Sequence, residues 1–357
     1  MIFYLCIIGI TLILAYLYQH SVKKQKKCLF VLLVLFPGLI SGLRGVATDY
    51  VFYANNYNQI IDGQFIYADY KSILVQFVKI VGRIGLPFQL SITIVSLSTI
   101  YFAFKIFDIY KEDINFTIAV FSYMTMFYQM SFNIFRQFLA AEIFLLASVY
   151  LFKKNNKYRF IALYILSVCI HSSLLPFGIV LFMSKTIYNE KYYKKRLLIF
   201  FICLVGIFAL PLIIEKIMFI IPLLSHYAWF LTRFKYNKIG LGFVRNLVLA
   251  IIPAIFVFIK KKYKNMSQIG LSFTMFYAVL GSIIWLSSYI STSSLYRLGY
   301  NLLVSLPLMH GYLFKNYRNK MKLIILCSVI FTLLLFWYYD GVVLDSGETI
   351  PYKFFWK

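Results

Sequence analysis

Residues 23–50 read KKQKKCLFVLLVLFPGLISGLRGVATDY, and the chain changes character twice within them. Four lysines come first, an apolar run follows from about residue 28 to 43, and the polar stretch GLRGVATDY ends the segment. Lysines cluster in the cytoplasmic loops beside membrane helices, a bias known as the positive-inside rule. The segment therefore predicts a membrane helix that leaves Arg44 and Asp49 at its non-cytoplasmic end.

The composition extends this prediction to the whole chain. Of the 357 residues, 62% are hydrophobic and 13% are charged, whereas soluble domains have about 45–50% apolar and about 25% charged residues. Apolar runs long enough to cross ~30 Å of hydrocarbon as helices recur along the sequence. We therefore predict an all-α polytopic membrane protein, a single integral membrane domain over residues 1–357.

The net charge of +24 fits the same prediction. Most basic residues lie in short clusters between apolar runs, as expected of cytoplasmic loops, so we expect no nucleic-acid partner. The five cysteines lie in apolar runs without a CxxC pair, which is typical of small hydrophobic residues rather than of disulfides or metal ligands. No metal site and no cofactor are predicted.

The clusters and apolar runs give about ten full transmembrane helices plus one short helical hairpin, with both termini on the non-cytoplasmic side. The first helix, 1–18, is retained rather than a signal peptide, because it lacks a basic start and a cleavage site. The other spans are expected at about 28–43, 88–105, 114–132, 133–152, 197–214, 243–260, 268–290, 297–314 and 323–339. External loops are expected at about 44–87, 215–242 and 340–357, the first with an amphipathic helix at 71–84 in the membrane interface.

Residues 160–184 are the unusual piece of this map. Basic loops flank them on both sides, so both ends are expected to be cytoplasmic, yet about 12 residues each way span only ~18 Å as helix. Two short helices that meet at CIHSSLLP inside the protein satisfy both conditions, because irregular backbone at membrane depth must be buried or line a wet cavity. The alternative is a full span with one basic loop that departs from the positive-inside rule.

Single arginines near the predicted external helix ends depart from the usual charge bias. They are Arg44, Arg83, Arg136, Arg233, Arg245 and Arg297. Arginine binds phosphate through two parallel donors, whereas lysine acts as a point charge, so the set indicates an anionic ligand on that side. For each arginine alone, snorkelling to lipid headgroups is an alternative explanation.

Asp49 and His171 are the candidates for acid–base chemistry. Asp49 could take a proton from a hydroxyl group, although a helix cap or a salt bridge to Arg44 would explain it equally well. His171 at the hairpin bend could act as a base or a hydrogen-bond donor, or it could form an ordinary polar contact with Ser172 or Ser173.

Three further polar residues accompany these candidates. Tyr50 directly follows Asp49, and Gln137 follows Arg136 in the stretch NIFRQ that opens a predicted span; we expect both to contribute to substrate binding. Glu142 lies about 9 Å deeper along that span. An intramembrane carboxylate is a functional candidate by default, and a structural partner within the bundle is the alternative.

Five short motifs occur in order along the chain. They are GLRGVATDYVFY (42–53), NIFRQFLA (133–140), IHSSLLP (170–176), LYRLGY (295–300) and IPYKFF (350–355). Together they resemble the EpsG family of exopolysaccharide and capsule proteins, which act as Wzy-type polymerases, and the resemblance covers essentially the whole chain.

The resemblance implies a glycosyltransferase that joins oligosaccharide repeat units carried on undecaprenyl diphosphate, at the outer face of the bacterial plasma membrane. It also implies a relation to the GT-C glycosyltransferases, whose first external loop carries an acidic catalytic residue and amphipathic helices. The expected product is an exopolysaccharide, a capsule or an O-antigen, and a flippase and a chain-length regulator are expected partners. The positions that match the family's motifs are Arg44, Asp49, Arg136, His171 and Arg297. We expect Asp49 and His171 to be catalytic, and we expect the substrate to be bound by Arg44, Tyr50, Arg136, Gln137, Arg233 and Arg297.

Two other classes of protein fit parts of the sequence. A flippase or transporter of the lipid-linked unit would also be polytopic, but transporters usually carry internal repeats and charges near the midplane. The sequence shows no repeat, and its candidate charges gather at one face. A membrane acyltransferase that modifies the polysaccharide would fit a single histidine in a bent hairpin. The polymerase is favoured over both.

Overall fold

The computed structural model describes residues 1–64, 72–153, 156–178, 247–259, 266–287, 295–316, 320–345 and 347–356, together with residues 202, 243 and 244. Within these ranges the chain is helical, and the single pairing of β type is an isolated bridge between Arg44 and Phe354. The all-α prediction is confirmed.

The α-helices of the described ranges are, in chain order, α1 (Ile2–His20), α2 (Lys23–Gly42), α3 (Thr48–Asn55), α4 (Tyr57–Asp62), α5 (Ile73–Arg83), α6 (Phe88–Ile109), α7 (Phe116–Met126), α8 (Met130–Asn133), α9 (Phe135–Phe152), α10 (Lys157–Ile170), α11 (Ile252–Ile259), α12 (Met266–Ser287), α13 (Leu295–Leu303), α14 (Leu306–Asn316) and α15 (Lys320–Phe336). A 3₁₀ helix follows α10 at Ser172–Phe177, and π-helical turns lie at Leu247–Ile251 and Trp337–Val343.

Five helical segments of the described residues are long and apolar enough to cross a membrane. They are Ile2–His20, Lys23–Gly42, Phe88–Ile109, Phe135–Phe152 and Leu326–Val343. These segments support an integral membrane protein, whereas the total of about ten spans and the GT-C-like arrangement stay predictions. The span expected at 197–214 and the external loop expected at 215–242 lie outside the described residues.

Helix α2 begins at Lys23, ahead of the start near residue 28 that hydrophobicity predicts. Lysine is a good helix former, so the basic cluster continues the helix beyond its apolar part. Lys23, Lys24 and Lys27 are exposed in its first turns. The start of the helix was therefore placed wrongly, and the membrane part of the helix stays a prediction.

Helix α5 confirms the amphipathic helix predicted at 71–84. The buried face consists of Leu74, Val75, Val78 and Val81, at the spacing of one helix face. Ile73, Ile80 and Ile84 on the other side are exposed. An apolar edge on the exposed side suits a helix lying in the membrane interface, and that location stays a prediction.

Two predicted spans are broken in the structure. The one expected at 297–314 divides into α13 and α14 at Val304 and Ser305, because Pro307 has no N–H group with which to continue the ladder of backbone hydrogen bonds. The one expected at 114–132 ends as α7 at Met126, and the short α8 follows after a turn.

The bend predicted at CIHSSLLP is present, whereas the hairpin as a whole stays a prediction. Helix α10 ends at Ile170, and His171 after it is extended, with φ −148° and ψ 108°. The 3₁₀ helix that follows contains Pro176. Helix α10 packs along α9, so the bend lies against the bundle, as irregular backbone at membrane depth requires. The return half of the hairpin lies outside the described residues.

Helix α9 occupies the interior of the bundle. Of its most apolar 18 residues, 78% are buried, compared with 33% in α1 and in α2. Helices α12 and α13 pack closely where two glycines face each other: a Cβ on Gly281 would lie 2.9 Å from the carbonyl oxygen of Gly299. Small residues at such contacts let helix backbones approach each other.

The bundle has two polar ends, which we name by their residues. The lysine end comprises the end of α1, the start of α2, the connection 110–115 and the ends of α6, α9 and α14. The motif end comprises the connection 43–47, α3, the start of α9, the bend after α10, α13 and the C-terminal segment 347–356. Tyr18 bonds to Asp108 at the lysine end, and Gln89 bonds to the carbonyl of Gly42 at the motif end.

Candidate functional site

The five sequence motifs meet at the motif end of the bundle. GLRGVATDYVFY connects α2 to α3, NIFRQFLA contains the start of α9, and IHSSLLP forms the bend after α10. LYRLGY belongs to α13, and IPYKFF lies in the C-terminal segment. Their contacts, described below, join segments that are far apart in sequence.

Arg44 lies at the centre of this end and is fully buried, with 0% of its surface exposed. One terminal nitrogen of its guanidinium donates to the carbonyl of Ser41 and, at 3.0 Å, to Ser96 Oγ. The other donates to the carbonyl of Phe132 at 2.9 Å. None of these bonds goes to Asp49, so the salt bridge that the sequence left open is absent between these two described residues.

Aromatic rings surround the same guanidinium. Tyr50, Phe132 and Phe135 have ring centres 5.8, 5.1 and 5.7 Å from its central carbon. Burial lowers the pKa of Arg44 to about 10, which leaves it charged at neutral pH. Arg44 thus contacts protein groups, and a ligand could reach its guanidinium only if these contacts opened.

Asp49 lies half-buried in the first turn of α3. The residue at the N-cap of α3 is Ala47, so Asp49 does not fill the cap position that the sequence left open. A negative charge in the first helical turn is favoured by the helix dipole. The backbone N–H of Asp49 donates to Asn133 Oδ1 at 3.1 Å, which ties the start of α3 to the chain just before α9.

Tyr50 is buried beside Asp49 and bonded to α6. Its hydroxyl donates to Gln89 Oε1 at 2.8 Å, and the amide nitrogen of Gln89 donates to the carbonyls of Gly42 and Arg44. Gln89 therefore fixes the connection on both sides of Arg44. Sequence reasoning missed Gln89, although a glutamine at the start of an apolar helix is a signal for a polar contact.

Arg136 and Gln137 open α9. The guanidinium of Arg136 lies over the ring of Tyr53 in α3, 5.2 Å from its centre. Gln137 donates to the backbone carbonyl of Arg297 and, at 2.8 Å, to Asn301 Oδ1. The start of α9 thus links α3 to α13.

His171 joins the same network through Ser173. Its Nδ1 lies 2.6 Å from Ser173 Oγ, and Asn301 Nδ2 donates to that same Oγ at 2.9 Å. If the hydroxyl of Ser173 donates a hydrogen bond to Nδ1, the neutral imidazole carries its proton on Nε2. Asn301 was missed by sequence reasoning, although it stands one helical turn after Arg297.

A family model matches residues 27–354 of the chain, which includes four of the five motifs in full and the fifth as far as Phe354. The chain belongs to the EpsG family. EpsG is a family of Wzy-type polymerases, as the order of the motifs indicated. Neither the curated proteins nor the solved structures that were compared with the chain give a match.

The remaining candidates of this EpsG protein lie in several places. Arg297 is exposed at the start of α13, and Arg83 is exposed at the end of α5. Arg233 and Arg245 lie outside the described residues. Glu142 is fully buried within α9, and neither of its carboxylate oxygens has a hydrogen-bond partner in the described part of the chain.

The motif end combines a hydrogen-bonded interior with charged groups nearer the surface. Arg44, Gln89 and Asn301 hold the motifs together, whereas Asp49 is half-buried and Arg297 is exposed. A half-buried carboxylate can accept a proton, and arginines can bind an anionic group. The motif end of this EpsG protein therefore carries side chains capable of acid–base chemistry and of anion binding.

Proposed function

We propose that this EpsG protein is a polysaccharide polymerase that moves a growing chain from undecaprenyl diphosphate onto the next lipid-linked repeat unit. One observation carries the proposal. Motifs spread from residue 42 to residue 355 meet at one end of the bundle, where they bring together a carboxylate, an imidazole and arginines. If the polar residues of these motifs served only to contact lipid headgroups, the segments would not need to be hydrogen-bonded to one another.

The membrane position of the site fits tethered substrates. Donor and acceptor would both be anchored by lipid chains, so their diphosphates would lie at the depth of the headgroups. Side chains at helix ends, such as Arg136 and Arg297, would lie at a suitable depth for them. The positive-inside rule places the lysine end in the cytoplasm, and the motif end would then face the outside of the plasma membrane.

The chemical step uses Asp49 as the base. A hydroxyl oxygen of the acceptor sugar attacks the anomeric carbon of the donor, and Asp49 takes the hydroxyl proton. A new glycosidic C–O bond forms while the C–O bond to the diphosphate breaks, and undecaprenyl diphosphate leaves with the electron pair. General base catalysis of this kind contributes about 10²–10⁴-fold to rate.

Arg136 and Arg297 would stabilise the charge of the departing diphosphate, because arginine pairs with phosphate through two donors. Arg233 is a further candidate from the sequence. Arg44 would act through the protein, by holding the connection that carries Asp49. Tyr50 and Gln137 would likewise position neighbours, since both side chains are already hydrogen-bonded.

His171 would bind a substrate hydroxyl or phosphate oxygen through Nε2. Its Nδ1 is engaged by Ser173, which fixes the orientation of the ring. A histidine held in this way donates from a defined direction, so it would help to orient one substrate while Asp49 activates the other.

The test is Asp49→Asn, which removes the base but keeps the shape of the side chain. We expect cells with this variant to lose the polymer and to accumulate single lipid-linked repeat units, at an unchanged level of protein in the membrane. Asp62→Asn is the matched control, because Asp62 is an exposed carboxylate of the same segment between α2 and α6. Normal polymer from Asp49→Asn would contradict the proposal.

A further inference from the structure

The C-terminal segment of the chain packs directly against the connection that carries the candidate base. We propose that residues 348–356 form a positioning element, here called the clasp, which holds Arg44–Asp49 in the geometry that transfer needs. The inference rests on the proposed function, because it assigns a role to the backbone around Asp49. The catalytic scheme gives no role to the motif IPYKFF, and the clasp would give it a structural one.

The first part of the clasp is a short antiparallel backbone pairing. The N–H of Gly45 donates to the carbonyl of Lys353 at 2.8 Å, and the N–H of Phe355 donates to the carbonyl of Leu43 at 3.0 Å. The two segments lie so close that a Cβ on Gly45 would be 2.9 Å from the carbonyl oxygen of Phe354. Glycine is needed at position 45 because any side chain there would push the clasp away.

The second part of the clasp holds a strained residue next to Asp49. Ala47 has φ 90°, a conformation that residues with a side chain rarely adopt. Its N–H donates to the carbonyl of Glu348 at 3.1 Å, and its own carbonyl accepts from Val51 in α3. Strained backbone persists only where the surroundings fix it. The bond to Glu348 fixes the turn from which α3 and Asp49 start.

Three other elements hold the clasp itself in place. The hydroxyl of Tyr352 donates to the carbonyl of Ile40 in α2 at 2.6 Å, and that of Tyr4 in α1 donates to the carbonyl of Thr349 at 2.9 Å. Gln129, between α7 and α8, donates to Thr349 Oγ1 at 3.1 Å. Because these hydrogen-bond partners belong to the helical bundle, the clasp fixes the connection relative to the bundle.

The side chains at the end of the clasp contribute less than its backbone. Phe355 and Trp356 are 44% and 58% exposed, so their rings rest on the outside of the protein. The bond from the N–H of Phe355 to Leu43 is kept by any residue except proline. The pair Phe355→Pro and Phe355→Ala therefore separates the backbone contact from the ring.

The experiment measures polymer per molecule of membrane-inserted protein for both variants. We expect Phe355→Ala to give a near-normal polymer, and Phe355→Pro to lose it at least tenfold. Equal loss in both would assign the effect to the ring, and near-normal polymer in both would show that the backbone pairing is dispensable; either result overturns the proposal. If Phe355→Pro does not accumulate, Tyr352→Phe decides instead: we expect polymer to fall several-fold, and normal polymer overturns the proposal.

A second measurement follows the last turn of α2, from which the connection starts, independently of activity. Ser41 is 2% exposed and lies just before Arg44, so a Ser41→Cys reporter in a chain without its natural cysteines should react slowly with a membrane-impermeant maleimide. Adding Phe355→Pro should raise that rate at least tenfold, whereas adding Phe355→Ala should not. An unchanged rate overturns the clasp even if Asp49→Asn has confirmed the polymerase, and a raised rate supports it even if Asp49 proves unnecessary.

Discussion

The two ends of the bundle hold their charges in different ways. At the lysine end, Asp108 pairs with Lys105 at 3.0 Å and Lys111 at 2.8 Å, and accepts from the hydroxyl of Tyr18. At the motif end, Arg44 is fully buried and all its hydrogen bonds go to neutral carbonyls and hydroxyls. The two lysines at the lysine end share a carboxylate partner, whereas Arg44 at the motif end has no carboxylate among its described contacts.

This difference indicates that the charges of the lysine end serve membrane topology, whereas Arg44 serves the structure around Asp49. Partly exposed ion pairs such as those of Asp108 contribute only ~0–1 kcal/mol each, and the positive-inside rule predicts that their lysines lie on the cytoplasmic side. A buried cation held by dipoles alone loses its hydration and must be hydrogen-bonded in return. We infer that the hydrogen bonds of Arg44 hold the connection to Asp49 in a fixed position.

The largest effect is expected from Arg44→Ala. The substitution leaves the carbonyls of Ser41 and Phe132 without their donor and opens a cavity, which together cost on the order of 3 kcal/mol or more. We expect a lower thermal unfolding temperature in detergent, less protein in the membrane and no polymer. Arg83→Ala, at an exposed site, is the control and should leave all three unchanged. Full stability of Arg44→Ala would mean that the motif end does not depend on this cation.

The next effect is expected from Arg136→Lys and Arg297→Lys. If these residues bind the diphosphate, an ammonium cannot replace the two-donor guanidinium. Loss of one charge-assisted bond, about 1.5–3 kcal/mol, slows transfer about ten- to a hundredfold if the bond forms in the transition state. Polymer length on a gel should shorten at unchanged expression, whereas Arg83→Lys should be neutral. Near-normal ladders from both variants would leave these arginines as lipid anchors.

No loss of polymer is expected from Glu142→Gln. Glutamine keeps the shape of the side chain and removes its ability to bind a proton. A polymerase that works at the motif end does not need that proton, so we expect normal polymer. A transporter of lipid-linked units commonly relies on such an intramembrane carboxylate. Polymer lost in Glu142→Gln, with the protein still in the membrane, would favour the transport alternative.

The smallest effect is expected from Asp108→Asn at the lysine end. It removes two partly exposed ion pairs, so the free energy of unfolding should fall by only ~1 kcal/mol. Polymer length should not change, because the lysine end takes no part in transfer. A strong effect on polymer length would show that the two ends are coupled and do not have separate roles.

The sequence predicted the elements that depend on local patterns. The buried positions of α5 follow the spacing of one helix face, and the end of α10 lies at the polar stretch after Ile170. The division between α13 and α14 could also have been read from Pro307. The gap between α7 and α9 could not, because residues 126–135 contain neither glycine nor proline.

The sequence supplied candidate residues for the site but not their geometry. Arg44 was expected to face a ligand, yet it is buried, because Ser96 and Phe132 reach it from segments about 50 and 90 residues away. The pairing of Gly45 with Lys353 joins positions about 300 residues apart. Contacts of this range depend on how the helices pack, which hydrophobic periodicity within one helix does not determine.

The most direct test of the central claim uses the purified protein in liposomes that contain undecaprenyl-diphosphate-linked repeat units as the only sugar source. We predict a ladder of polymer and one released undecaprenyl diphosphate for each linkage formed, and neither product from the Asp49→Asn protein. Repeat units that cross the bilayer without being joined would contradict the account, and so would an equal ladder from the Asp49→Asn protein.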